Sequence, residues 1–135
     1  MSNEKVLRDE LARWRRTPFR WGHDDCMLAI ATYVAALRGI DGGARWRGRY
    51  STRLGCLRVT GFHLDPVGVA DQCAAAAGLR RTTCPDDGDI GVIRAVTDGQ
   101  PVTVGGILIG GLWAVRGARG VQLVRSPEVL AAWAV

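Results

Sequence analysis

The sequence predicts an α+β fold, with N-terminal helices packed on one face of a curled antiparallel sheet. Three observations carry this. Apolar residues in the first half recur at helical spacing between strong cap and stop signals. After Asp89 the chain changes to short β-prone runs. Those runs are separated by glycine-rich turns. Helices first and strands later is the order of an α+β domain. With 135 residues, 47% of them apolar, the chain has the length and core material of a single domain, taken as 1–135.

A first helix is expected over residues 3–16, where Leu7, Leu11 and Trp14 share one face. Glu4 near its start and Arg15 and Arg16 near its end suit the helix dipole. Thr17-Pro18 stops it, because a residue preceding proline is pushed out of the helical region. Phe19, Arg20, Trp21 and Gly22 form a short extended piece and a turn. Asp24 or Asp25 caps a second helix running to about Leu37 on Met27, Ile30, Val34 and Leu37, with Gly39 as its C-terminal cap. A loop holding several arginines follows. Ser51 is placed to cap a short third helix that closes near Gly61. Asp65-Pro66 starts a fourth that ends at Gly78.

The expected strands are residues 89–96, 102–109, 112–116 and 121–124, joined by turns at Asp98-Gly99, Gly110-Gly111 and 117–120. They read as an antiparallel meander. Ser126-Pro127 then signals a last short helix, 128–133. Trp14 and Trp133 are placed on helix faces, and Trp113 on a strand beside glycines.

The net charge is +5, carried almost wholly by arginine, with Lys5 the sole lysine. The arginines are spread along the chain, so no phosphate-binding surface is expected and nucleic acid is not an expected partner. No apolar stretch approaches the roughly 18 residues needed to span a bilayer. The charged N-terminus lacks a signal-peptide core, which predicts synthesis in the cytoplasm. The four cysteines, Cys26, Cys56, Cys73 and Cys84, lack metal or redox spacing. Cys56 and Cys73 are expected to fill helix faces. No cofactor and no metal site are expected, since His23, Asp24, Asp25 and Cys26 are too close in sequence to converge on one ion.

The chemistry-bearing candidate is Cys26. If Asp25 caps the second helix, Cys26 sits in its first turn, where free N–H groups and the helix dipole favour thiolate and could hold an oxyanion. The negative charges of Asp24 and Asp25 act against this. A nucleophilic cysteine also needs a base. The sequence offers two histidines, His23 and His63. Separately, Arg45, Arg47, Arg49 and Arg53 surround Trp46 and Tyr50, a composition found at protein interfaces.

The order of parts is Pro18-Phe19-Arg20-Trp21-Gly22, then Asp25-Cys26 and a helix, then Gly88-Asp89-Ile90-Gly91-Val92-Ile93, then Val104-Gly105-Gly106-Ile107-Leu108-Ile109-Gly110. It resembles the NlpC-type branch of the papain-like cysteine peptidases. More closely, Trp21-Gly22, Asp25-Cys26, Gly48-Arg49-Tyr50 and Ala132-Trp133 resemble small proteins of that lineage encoded in phage and prophage tail gene clusters. The resemblance implies an NlpC-type fold, residence in the virion tail after assembly in the host cytoplasm, and tail-tip or baseplate proteins as partners. Where that family carries its catalytic histidine, this chain has Thr103. Phe19 replaces the family's tyrosine, and Met27-Leu28 replaces its Ser-Gly. The resemblance therefore implies a structural tail component on an inactive peptidase fold. The alternative is an active peptidase or amidase cutting peptidoglycan stem peptides, with Cys26 as nucleophile and His23 or His63 as base.

Overall fold

A computed structural model describes residues 3–97 and 99–135. Its elements run α1 (Asn3–Arg16), α2 (Leu28–Arg38), α3 (Arg53–Thr60), α4 (Pro66–Ala76), β1 (Arg80–Arg81), β2 (Ile90–Thr97), β3 (Gln100–Ile109), β4 (Leu112–Gly117), β5 (Gly120–Arg125) and β6 (Glu128–Ala134). The strands form one open antiparallel sheet in the order β1-β6-β2-β3-β4-β5. The expected α+β class and the β2–β5 meander are present.

Local chemistry accounts for the helix limits. Thr52, one residue after the expected cap, accepts the Gly55 N–H and starts α3. Asp65 does the same for α4 through the Gly68 N–H, with Pro66 in the first turn. Gly39 and Gly61 adopt left-handed conformations at the ends of α2 and α3. Gly99 lies in the β2–β3 connection with φ 75°; Asp98, its expected turn partner, lies outside the described residues.

The C-terminal segment corrects the sequence expectation. Residues 128–133 are strand, not helix: β6 lies between β1 and β2, pairing Trp133 with Ile90 and Ala132 with Gly91. Consecutive Ala131, Ala132 and Trp133 are all buried, so the strand shows no alternation of exposed and buried residues. A short apolar run with a Ser-Pro start is equally compatible with either state, and the vacant sheet position decides it. Trp133 is thus a core residue on a strand. The two-residue strand β1, which the sequence reading assigned to no element, completes that edge.

The main core lies between the helices and one face of the sheet. Trp14, Tyr33 and Val34 meet Val92, Ile107 and Trp133 there. The opposite face has its own small cluster of Ile93, Ala95, Trp113 and Val115. Trp113 lies over Gly91 and Gly106, where an added Cβ would sit 2.9 and 3.3 Å from its ring.

Gly105 brings α2 onto the sheet. A Cβ there would stand 2.7 Å from Ile30 Cδ1 and 2.9 Å from Met27 Sδ. Gly105→Ala is therefore expected to destabilise the protein by about 1–2 kcal/mol, since flexible side chains can yield only in part. Urea unfolding measures this as a lower midpoint at unchanged slope.

Candidate functional site

The junction between α1 and α2 positions the candidate site. Residues 20–24 make a tight turn, closed by Asp24 N–H to the Arg20 carbonyl at 2.8 Å and by an isolated bridge between the same residues. Gly22 takes φ 82°, and a Cβ on it would fall 1.9 Å from the Tyr50 carbonyl oxygen, so only glycine fits. The Gly48 N–H donates to the Gly22 carbonyl at 2.9 Å, tying the arginine-rich loop to this turn.

Asp24 and Asp25 point to different tasks. Asp25 is completely buried. Its carboxylate accepts the N–H groups of Gly22 (3.0 Å), Met27 (3.1 Å) and Leu28 (3.0 Å), and the Tyr50 hydroxyl at 2.7 Å. The Ala29 N–H reaches the Asp25 carbonyl at 2.9 Å, so Asp25 closes the turn leading into α2; the helix itself starts at Leu28 after Met27, and Cys26 therefore precedes it instead of lying in its first turn as expected. Asp24 faces α1 and β4 instead. It accepts from both terminal nitrogens of Arg13, from the Thr17 hydroxyl and from Arg116. Arg13 also bonds Glu10, which in turn accepts the Trp14 indole N–H.

Burial alone would raise the Asp24 carboxyl, but hydrogen bonds and charge from Arg13, then Arg116, hold it below its ordinary 3.8. A carboxylate held low contributes stability that is present above about pH 3.8 and lost as the pH falls through the folded-state value. Acid titration should therefore show Asp24→Asn to be less stable than the parent near neutrality, and the gap should narrow as pH drops below about 4.

Cys26 directly follows Asp25 and is half-buried as a residue. Burial, then the Asp25 charge, pushes its thiol up to about 12, while the Arg53 charge opposes them weakly. This is the reverse of the activation expected for a nucleophile at a helix start. The Met27 and Leu28 N–H groups are taken by the Asp25 carboxylate, and the Cys26 N–H remains to favour thiolate against those larger effects.

Cys26 lines a cavity of about 340 Å³ between α2, α3, α4 and the strands β2 and β3. Thr103 and His63 line the same cavity. His23 does not; it is exposed, and its carbonyl accepts from Arg47. Of the two candidate bases the fold thus brings only His63 to the cavity that holds Cys26. Cys56 lines the cavity too, and burial is the first cause raising its thiol. Cys73, on α4, is pushed up to about 11, chiefly by burial. Among the described residues no group of three or more His, Cys, Asp or Glu could hold a metal ion.

A family model described as "Domain of unknown function (DUF6950)" matches residues 1–135. The chain belongs to the DUF6950 family. No curated protein and no solved structure matches it. No described helix of this DUF6950 chain is long and apolar enough to cross a membrane.

The aromatic and arginine cluster of the DUF6950 chain divides between interior and surface. Tyr50 is 8% exposed and belongs to the interior, locked on Asp25, which removes it from any outward-facing contact set. Arg47 is an internal clamp: it pairs with Asp41 and donates to the Leu28 carbonyl and the Thr32 hydroxyl. Arg45 stacks on half-buried Trp46 and bonds Gln72 of α4. Arg49 and Arg53 are exposed, and Arg53 lines the cavity.

Arg116 was missed by sequence reasoning. Its side chain is fully buried and donates to the carbonyls of Trp14 and Thr17 and to Asp24, holding the end of α1 against β4. The available signal was a charge at the end of the apolar run Leu112-Trp113-Ala114-Val115. A solvent-facing strand end explains that pattern equally well from sequence.

Proposed function

We propose that the chain is a non-catalytic structural component of a phage or prophage tail tip or baseplate, built on an NlpC-type papain-like fold. One observation carries the non-catalytic part. The Asp25 carboxylate occupies the Met27 and Leu28 N–H groups beside Cys26, which leaves the Cys26 N–H as the backbone donor still favouring thiolate, against burial and the Asp25 charge. Thr103, on the cavity wall where the resembling enzymes place histidine, cannot accept a proton near neutral pH.

The tail setting rests on the resemblance of Trp21-Gly22, Asp25-Cys26, Gly48-Arg49-Tyr50 and Ala132-Trp133. It is supported by how three of those segments hold one another. Gly48 bonds Gly22, and Tyr50 bonds Asp25.

Complementation of a tail gene-cluster deletion tests both parts. Cys26→Ala protein should restore particle assembly to the wild-type level and be recovered in purified tails. Particles that assemble fully without the chain would refute the structural role.

The second reading, a peptidoglycan peptidase or amidase, is favoured by one fact: His63 and Cys26 share a cavity. It requires release of stem-peptide fragments that stops in both Cys26→Ala and His63→Ala.

A further inference from the structure

We propose that the cavity behind Cys26 binds an anionic amphiphile, a single hydrocarbon chain of about a dozen carbons ending in a carboxylate. The inference rests on the non-catalytic reading only in treating Cys26 as an unreacting part of the cavity wall.

The cavity walls are mainly apolar, contributed by residues such as Ile30, Val69, Ala70, Ala74 and Val92. Its volume of about 340 Å³ lies at the lower end of small-molecule sites, roughly 300–1,000 Å³. At about 30 Å³ for a water-sized group, this holds roughly eleven methylenes. A site lined in this way selects for hydrocarbon, and its few polar groups fix orientation.

Three lining residues are exposed and so stand at the mouth, Pro101 and the two polar ones, Arg53 and His63. Neither Arg53 nor His63 has a hydrogen-bond or ion-pair partner among the described residues, whereas Arg13, Arg47 and Arg116 are each paired with a carboxylate. The Arg53 charge acts, as the smallest influence, against the burial that raises the Cys26 and Cys56 thiols of the cavity wall. A free guanidinium above an apolar chamber matches a carboxylate with a hydrocarbon tail. Leu54 and Leu64, the chain neighbours of these two residues, are 57% and 80% exposed. Hydrocarbon leaving the mouth would be covered by them.

Titration with dodecanoate, below its micelle concentration, tests the proposal. Trp21, Trp46 and Trp133 line the cavity, so intrinsic fluorescence reports binding in the unmodified protein. Saturable one-to-one binding is expected. Dodecanol, with the same chain and no charge, should bind about fivefold more weakly, and dodecylamine more weakly still. Arg53→Gln, an exposed substitution, should reduce dodecanoate affinity about fivefold and leave dodecanol unchanged. Bound dodecanoate should also slow alkylation of Cys73 in the wild-type chain, a readout that needs no variant. Absence of saturable binding, equal affinity for the three head groups, or no effect of Arg53→Gln would overturn the proposal. None of those outcomes bears on whether Cys26 is a nucleophile, which its own alkylation profile decides.

Discussion

Asp25→Ala is expected to destabilise the protein by about 4 kcal/mol, lowering Tm by roughly 15 °C. Four donors lose their acceptor at once: three backbone N–H groups and the Tyr50 hydroxyl. All of them meet a carboxylate with no solvent exposure, so water cannot take its place without opening the junction. A lost cap alone costs about 1 kcal/mol. Each buried donor left unpaired adds about 1–3 kcal/mol, with partial relaxation keeping the total below the sum. Asp25→Asn separates structure from charge. The amide keeps one of the two acceptor oxygens, enough for the Met27 and Leu28 N–H groups, and removes the negative charge, which is the second cause, after burial, of the raised Cys26 thiol. The Asn variant should therefore be the more stable of the two, and its Cys26 should alkylate with an inflection at lower pH than in the parent.

Arg116→Met is the second large effect, with an expected loss of about 3–4 kcal/mol. The guanidinium serves as a distant C-terminal cap for α1, donating to the Trp14 carbonyl at 2.9 Å and the Thr17 carbonyl at 2.8 Å. Methionine fills the space but leaves both carbonyls without a donor. It also leaves Asp24 dependent on Arg13 and Thr17. Arg116→Lys keeps the charge without the planar fork, and should recover part of the loss. Hydrogen exchange should localise the change, with α1 amides losing protection more than those of β2 and β3, which are held by their own ladder.

Much of the fold was legible because short-range chemistry wrote it. Asp65-Pro66, Thr17-Pro18, Gly39 and Gly61 mark helix limits through backbone geometry, and such signals act where they stand. The glycine-separated strands β2 to β5 were legible for the same reason. Segment 128–134 was not, because its state is decided by an opening in the sheet between β1 and β2, and nothing within seven residues encodes that opening. The site divides along the same line. The cap at Asp25 was one of two local options. Its partner Tyr50 lies 25 residues away, and Arg116 meets Trp14 across 102 residues. Long-range polar contacts leave no periodicity, so Tyr50 read as an interface aromatic and Arg116 only as the last residue of a strand. The roles of Asp24 and Asp25 could not be separated while their partners were unknown.

The pH profile of Cys26 alkylation is the most direct measurement of whether this junction performs chemistry. Iodoacetamide labelling, resolved by peptide mass from about pH 6 to 11, reads each cysteine separately, with exposed Cys84 as the control for reagent activity. Cys26 is expected to label slowly and without inflection below about pH 10, consistent with a thiol pushed up to about 12. An inflection at or below about 8.5, the ordinary thiol value, would contradict the non-catalytic reading and return Cys26 to the role of nucleophile.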